Sequence, residues 1–368
     1  MELDSIKRVM VRAPNWVGDA VMAEPALREI RRIFSGARIT MLARPWVAGL
    51  FEGEDLADDL IAVRDARGLT QSVSRFFRES SQVRRERFDL AVLLQNAFGA
   101  ALIARAGRVR MIAGYPSDGR RALLDLVVPF DADYRTDHQV SYYARIAAEV
   151  ERRFTGTSLV PVEAARPRLR ATGEQVEWAR RLLAQAGASA GAIGDRPIVA
   201  VGDRPIVALN PGATNSRAKQ WLAGRFAETA DRLAERDGFQ TIIVGAEGDR
   251  EAAEETASSM RTPALMLAGR TSISELKGAL ACSSLVISND TGPAHVSSAL
   301  GIPTVVVFGP TEHFATRPLS DAAVVVRHDV ECSPCMYRDC PIDHRCMTRV
   351  EVDDVYLAAR DLLARAAR

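Results

Sequence analysis

Lysine is almost missing from this chain. Only Lys7, Lys219 and Lys277 carry it, and the other forty-five of forty-eight basic side chains are arginine, so each lysine is a rare choice. Net charge is equally scarce. A balance of +1 over 368 residues provides no strongly basic domain of the kind nucleic acid requires, and no nucleic-acid partner is expected. No acidic cluster of the type that holds Mg²⁺ on phosphates is evident, so catalysis is expected to need no metal. No Gly-x-Gly-x-x-Gly follows the first strand, which argues against a dinucleotide oxidoreductase. Met1-Glu-Leu-Asp-Ser-Ile-Lys7 carries acidic residues where a secretory signal would be basic. The apolar run after it is far too short to span a bilayer, and a cytoplasmic location is expected. Cysteine is limited to five positions, four of them inside the fifteen-residue pattern Cys332-x2-Cys335-x4-Cys340-x5-Cys346.

What is present reads as a soluble α/β protein. Hydrophobic content of 47% and charged content of 26% are ordinary for globular chains, and the length allows about two domains. The most informative stretch runs from Leu285 to Thr311. It predicts a short apolar strand, a polar turn at Asp290-Thr291-Gly292-Pro293, a short helix closed by Gly301 and a second buried strand. Unpaired N–H groups at such a helix start can hold an anion, and ligands of open parallel sheets lie outside the carboxyl ends of strands. Asp290 to His295 is therefore a candidate site for a phosphorylated ligand, against the alternative of a well-capped structural turn.

Strand and helix alternate along the rest of the chain. Ile6–Val11 is a strand, Arg12 to Asp19 a turn and Ala20–Phe34 a helix, with Asp19 at its mouth as either an N-cap or a carboxylate held for proton transfer. Further strands are expected at 38–42, 60–63, 88–95 and 109–113, with helices near 70–86, 98–106 and 138–153. Arginines gather at Arg84, Arg85 and Arg87, at Arg105, Arg108 and Arg110, and at Arg120 and Arg121, most of them expected on solvated faces. The sequence divides into a first domain at 1–165, a connecting region at 166–204, a second domain at 205–350 and a terminal helix at 351–368. Within the connection lies a tandem Gly-Asp-Arg-Pro-Ile-Val-Ala repeat, starting at Gly194 and again at Gly202. It reads as a local duplication whose second copy forms a strand at 205–209 while the first bulges outside.

Three strand ends of the second domain carry polar groups: 212–219, 246–249 and 290–292. A nucleotide laid there would offer its ribose to a carboxylate such as Asp249 and its diphosphate to Lys219 and the Thr291-Gly292 helix start. The cysteine loop has spacing compatible with a tetrahedral zinc or an iron–sulfur centre, or with plain structural thiols, with His328 and His344 as accessory ligands to a metal.

Pro14-Asn-Trp-Val-Gly-Asp-Ala-Val-Met-Ala-Glu-Pro-Ala-Leu27, Asn210-Pro-Gly-Ala-Thr214 with Lys219-Gln-Trp221, Ser288-Asn-Asp-Thr-Gly-Pro-Ala-His295, Phe308-Gly-Pro-Thr311 and the four-cysteine loop together resemble the ADP-heptose:lipopolysaccharide heptosyltransferases, glycosyltransferase family 9, over nearly the whole chain. Within that family the resemblance is strongest to the heptosyltransferase II type. It implies an α/β fold of the GT-B type. Two Rossmann-like domains with parallel sheets would face across a cleft, acceptor on the first and nucleotide sugar on the second, with the C-terminal helix packing back on the first. It further implies an inverting, metal-independent transfer from ADP-heptose to a lipid A–Kdo–heptose acceptor by a monomer working at the inner face of a Gram-negative inner membrane. By position, Asp19 is the implied general base, with Asn15, Trp16 and Gly18 beside the acceptor. Lys219, catalytic with Asp19, and the Thr291-Gly292 turn would meet the diphosphate, Asp249, with Glu247 as a neighbouring candidate, the ribose and Asp290 the heptose, while Thr214 and His295 would complete the nucleotide-sugar site. Trp16 and Trp46 could touch the membrane surface. Against this stand a transferase or epimerase using another nucleotide sugar, and a non-catalytic nucleotide-binding or cysteine-based sensing module.

Overall fold

The structure, a computed structural model, describes residues 2–63, 69–130, 137–188 and 204–367. The first copy of the repeat, with the bulge expected for it, lies outside the described residues. The chain forms two compact units, Met1–Arg168 and Leu169–Arg368.

The first unit contains β1 (Arg8–Arg12), α1 (Val17–Ile33), β2 (Arg38–Ala43), α2 (Pro45–Ala48), β3 (Asp59–Ala62), α3 (Leu69–Glu86), β4 (Leu90–Leu93), α4 (Phe98–Ala106), β5 (Met111–Gly114), β6 (Leu126–Val127) and α5 (Gln139–Thr155). All strand pairs are parallel, in the order β3-β2-β1-β4-β5-β6. A parallel sheet covered on both faces demands continuous apolar strands. Leu90-Ala-Val-Leu93 meets that demand, with every residue buried.

The second unit contains α6 (Gly173–Ala188), β7 (Ile206–Asn210), α7 (Ala223–Asp237), β8 (Gln240–Ile243), α8 (Arg250–Ser259), β9 (Ala264–Met266), α9 (Ile273–Ala281), β10 (Leu285–Asn289), α10 (Gly292–Ala299), β11 (Thr304–Val307), α11 (His313–Thr316), β12 (Ala323–Val326), α12 (Arg345–Thr348) and α13 (Val352–Ala366). Its parallel sheet runs β9-β8-β7-β10-β11-β12. Each sheet thus has its first strand third and its fourth strand fourth in spatial order. In each, the order reverses between those two strands, where open α/β sheets leave a ligand crevice.

Two expectations about the chain's organisation are corrected. The region at 166–204 is not only a connection, because α6 packs along α9 and belongs to the second unit. The terminal helix also lies there: Val355, Tyr356, Ala359 and Leu362 bury one face of α13 in the cluster that holds Val207, Leu209, Val305 and Val307. Helical spacing puts those four side chains on one stripe, and α7 and strands β10, β11 and β12 receive it. Among the described residues, no helix is long and apolar enough to cross a membrane.

Candidate functional site

In the first unit the polar groups collect where β1 and β4 end, at the reversal of strand order. The chain leaves β1 through Ala13-Pro14-Asn15-Trp16 and enters α1 with an extended Trp16 and no side-chain cap. Asp19 is the third residue of the helix, so it is not the N-cap that the sequence allowed. It lies in the first turn, at the positive end of α1, where negative charge is favoured. From α5, Tyr143 donates its hydroxyl to Asp19 Oδ1 at 3.3 Å. Burial pushes the Tyr143 phenol well above its usual 10, and the Asp19 charge adds to the rise, so the phenol keeps its proton and remains a donor.

Around this pair, Asn15 accepts from Arg44 Nε at 3.2 Å through its side chain and from Trp46 Nε1 at 2.8 Å through its backbone. Trp16 is 57% exposed, and Gly18 lies half-buried in the first turn of α1. Arg12, at the end of β1, donates to Gln95 Oε1 at 2.7 Å, and burial pulls its guanidinium down to about 10. Beside it, Glu79 lines a cavity of about 240 Å³ shared with Leu42, Ile61, Val63, Arg78 and Gln82. Arg120 departs from the solvated face expected of its cluster. It is fully buried and spends its guanidinium on the backbone oxygens of Tyr115 and Gln95 and on Asn96 Oδ1, bracing the carboxyl end of β4.

The second unit gathers its polar groups where β7 and β10 end. Asn289, the last residue of β10, accepts from the Trp221 amide at 2.9 Å and donates to the carbonyls of Pro211 at 2.8 Å and Gly212 at 3.3 Å. One buried amide thereby fixes both ends of the loop that follows β7. Asn210 donates to Ser288 Oγ at 3.0 Å and Thr291 Oγ1 at 2.6 Å. Lys219 closes a one-turn helix, and its Nζ stands 2.8 Å from Asp290 Oδ2. Thr311 donates to the same oxygen at 2.7 Å. Asp290 is 5% exposed and the Lys219 side chain 27%, so a buried carboxylate anchors a partly accessible ammonium. Next to them α10 starts at Gly292-Pro293 with an extended Thr291 as N-cap and no side-chain cap, the arrangement that presents backbone N–H groups to an anion. His295 is buried within α10.

Asp249 does something other than expected. Its two oxygens accept from Thr214 Oγ1 at 2.8 Å and from the Ala246 amide at 2.9 Å. Gly212 packs so closely on it that a Cβ there would collide with the carboxylate. It is a buried brace between two loops. Two residues earlier, Glu247 has an exposed side chain that pairs at the surface with Arg250 at 3.3 Å.

The four cysteines do not assemble a ready ligand set. Among the described residues, no three His, Cys, Asp or Glu side chains are gathered as a metal ion requires. Cys346 is buried against Met347 in the second core, while Cys332, Cys335 and Cys340 are half-buried. Burial first, and then those three neighbours, push the Cys346 thiol up to about 11, which keeps it protonated at neutral pH.

Two parallel sheets of identical strand order, each with its polar groups at the strand-order reversal and one with a lysine beside an anion-ready helix start, define a doubly wound α/β protein of the nucleotide-binding kind. The glycosyltransferase family 9 (heptosyltransferase) pattern matches residues 76–345. Lipooligosaccharide heptosyltransferase 2 of Campylobacter jejuni is 26% identical over 364 residues, 97% of this chain and 98% of the relative. Lipopolysaccharide heptosyltransferase 2 of Escherichia coli K12 is 25% identical over 324 residues, 87% and 88% of the two chains. The solved E. coli ADP-heptose LPS heptosyltransferase II superposes with a TM-score of 0.80 at 22% identity, over 98% of this chain and all of that one. This chain belongs to glycosyltransferase family 9. It is a glycosyltransferase of GT-B type.

Of the residues expected at the site, the structure places Asp19 in the first turn of α1 and brings Lys219, Asp290 and the Thr291-Gly292 turn together. Motif and periodicity assign no role to Tyr143, which is only a tyrosine on the apolar stripe of α5, or to Asn289 and Thr311, which hold Trp221 and Asp290 in the structure although both lie inside the quoted motifs.

Proposed function

We propose that this protein moves L-glycero-D-manno-heptose from ADP-heptose to a heptose of the lipopolysaccharide inner core, with inversion at the anomeric carbon. The observation that carries this reading is the Lys219–Asp290–Thr311 cluster beside the start of α10. It offers fixed positive charge to a leaving diphosphate. Asp19 takes the proton of the attacking acceptor hydroxyl as the new C–O bond forms. The bond from the anomeric carbon to the diphosphate breaks, and the electron pair leaves with ADP. Lys219 and the amides of α10 stabilise that charge in the role a metal fills elsewhere. Glu247 accepts the ribose hydroxyls, and Asp290 meets the heptose while holding Lys219. Tyr143 keeps Asp19 ionised and oriented.

The acceptor is a lipid A–Kdo saccharide already carrying one heptose. Its lipid end is consistent with peripheral contact at the inner face of the membrane through the exposed indoles of Trp16 and Trp46. The test is a transfer assay with ADP-heptose against acceptors bearing zero, one or two heptoses. Transfer to the one-heptose acceptor, with an α-linked product from a β-linked donor, is the expected result. Preference for another nucleotide sugar, or epimerisation without transfer, overturns the proposal.

A further inference from the structure

The cysteine-rich segment is the part of the sequence that the reaction leaves without a task. Its contacts supply one. Ala218, immediately before Lys219, has both backbone polar groups tied to this segment: its N–H donates to the Arg338 carbonyl at 2.9 Å, and its carbonyl accepts from His344 Nε2 at 2.7 Å. Ser216 reaches the same strip of backbone, donating to the Arg338 carbonyl at 3.3 Å, and Arg217 pairs with Asp339 at 2.7 Å. On the other flank, Ser333 donates to the Gly309 carbonyl at 2.6 Å, and the amides of Cys335 and Met336 both donate to the Pro310 carbonyl, at 3.0 and 2.9 Å. A Cβ on Gly309 would collide with Met347 and stand 3.1 Å from Cys346 Sγ, so the end of the cysteine-rich segment lies directly against that turn. The next residue is Thr311, which holds Asp290.

The geometry points to residues 333–344 as a clamp on the donor site, with His344 as the positioning residue that fixes the Lys219 turn through Ala218. The inference rests on the reading that Lys219 meets the diphosphate. One segment holds the turns bearing the two partners of Asp290, and a backbone carbonyl held by an imidazole N–H fixes the turn without any side chain reaching the ligand. His344 itself has a positive φ of 57°. Its backbone N–H donates to Cys340 Sγ at 3.3 Å, which ties Cys340 to the same point.

The experiment compares ADP affinity by titration calorimetry, and donor and acceptor KM, for K219A, H344A, H344Q and S333A. Gln presents a side-chain N–H at a reach close to that of the imidazole Nε2 and is the conservative replacement. One lost hydrogen bond corresponds to roughly three- to tenfold in affinity. H344A is expected to weaken ADP and raise donor KM by about that factor with acceptor KM unchanged, H344Q to restore most of it, and S333A, which acts on the opposite flank, to weaken ADP about threefold. If K219A loses ADP affinity while H344A and S333A bind as the parent does, the clamp is wrong. If K219A also binds ADP as the parent does, the reading of Lys219 itself fails and the clamp with it. An H344A protein with a lowered Tm and equal losses for donor and acceptor marks a merely structural histidine and overturns the proposal. Should H344A not fold, S333A alone decides.

Discussion

The two units are built on one plan and carry side chains of opposite sign at the same point of it. Each sheet reverses its order beside its first strand, and each puts its polar groups there. In the first unit the feature at that point is a carboxylate at a helix start, held by a buried phenol. In the second it is an ammonium held by a buried carboxylate, beside a helix start left open. The backbone plan fixes where chemistry can sit, and under the proposed function the sign of the side chain placed there decides whether the unit accepts a proton or stabilises an anion.

The strongest way to break that comparison is to remove the first unit's charge. Asp19→Ala is expected to lower kcat by about 10³-fold, within the usual range for a general base, while ADP affinity stays at the parent value. Loss of ADP binding in this variant would show that the two tasks are not divided between the units. Lys219→Ala comes next. A fall in kcat/KM of about 10²-fold is expected together with weaker ADP binding, and Lys219→Arg should recover only part of it, since a planar guanidinium does not replace a compact ammonium on Asp290. An activity for Lys219→Arg equal to the parent would remove the distinction drawn between this lysine and the forty-five arginines.

How much of this was legible in the sequence follows from what each residue does. Groups at strand ends inside glycine- and proline-punctuated turns, such as Asp19, Lys219 and Asp290, announce themselves because backbone periodicity stops there and polar residues take over. The alternating elements were readable for the same reason, to within a few residues at their ends: α1 begins at Val17 rather than Ala20, and β4 spans Leu90–Leu93 within the longer 88–95 run. The edge strands β6 and β12 went unread. β6 has two residues, and β12 follows only the four-residue α11, too short to set a helical rhythm. Tyr143 could not be separated from core residues on α5, since its hydroxyl matters only once α1 is packed beside it. Asp249 and Glu247 lie two apart in one turn, and only the folded turn shows which carboxylate is spent inside. The fate of α13 was likewise invisible, because an amphipathic stripe states that a face is buried without naming the partner.

Two smaller effects sharpen the comparison. Tyr143→Phe removes the hydrogen bond that favours the ionised Asp19, so the acid limb of the kcat/KM profile is expected to move to higher pH and activity at pH 7 to fall about three- to tenfold. The sign for stability is separate. The folded protein holds the Tyr143 proton more tightly than the usual value of 10, so the hydroxyl's contribution is full below about pH 10 and is lost as pH rises through the elevated value. Tm measured for both proteins from pH 7 to 11 checks it, since their difference should shrink only at the alkaline end. Least in size, Glu247→Ala is expected to raise donor KM about three- to tenfold at unchanged Tm. Asp249→Ala should instead lower stability by about 1–3 kcal/mol, leaving the Ala246 amide and Thr214 hydroxyl unpaired. A donor-specific loss in Asp249→Ala at full Tm would return the ribose to that residue.

The scarcity of lysine turns the protein into its own probe. Lys277 is entirely buried in α9, Lys7 is exposed just before β1, and Lys219 is partly open where it pairs with Asp290. A reagent that acylates side-chain amines therefore meets one unguarded target and one whose reactivity depends on its ion pair with Asp290. The mass of a single peptide, taken with and without ADP, reports whether that ion pair is covered, and no engineered label is needed to see it.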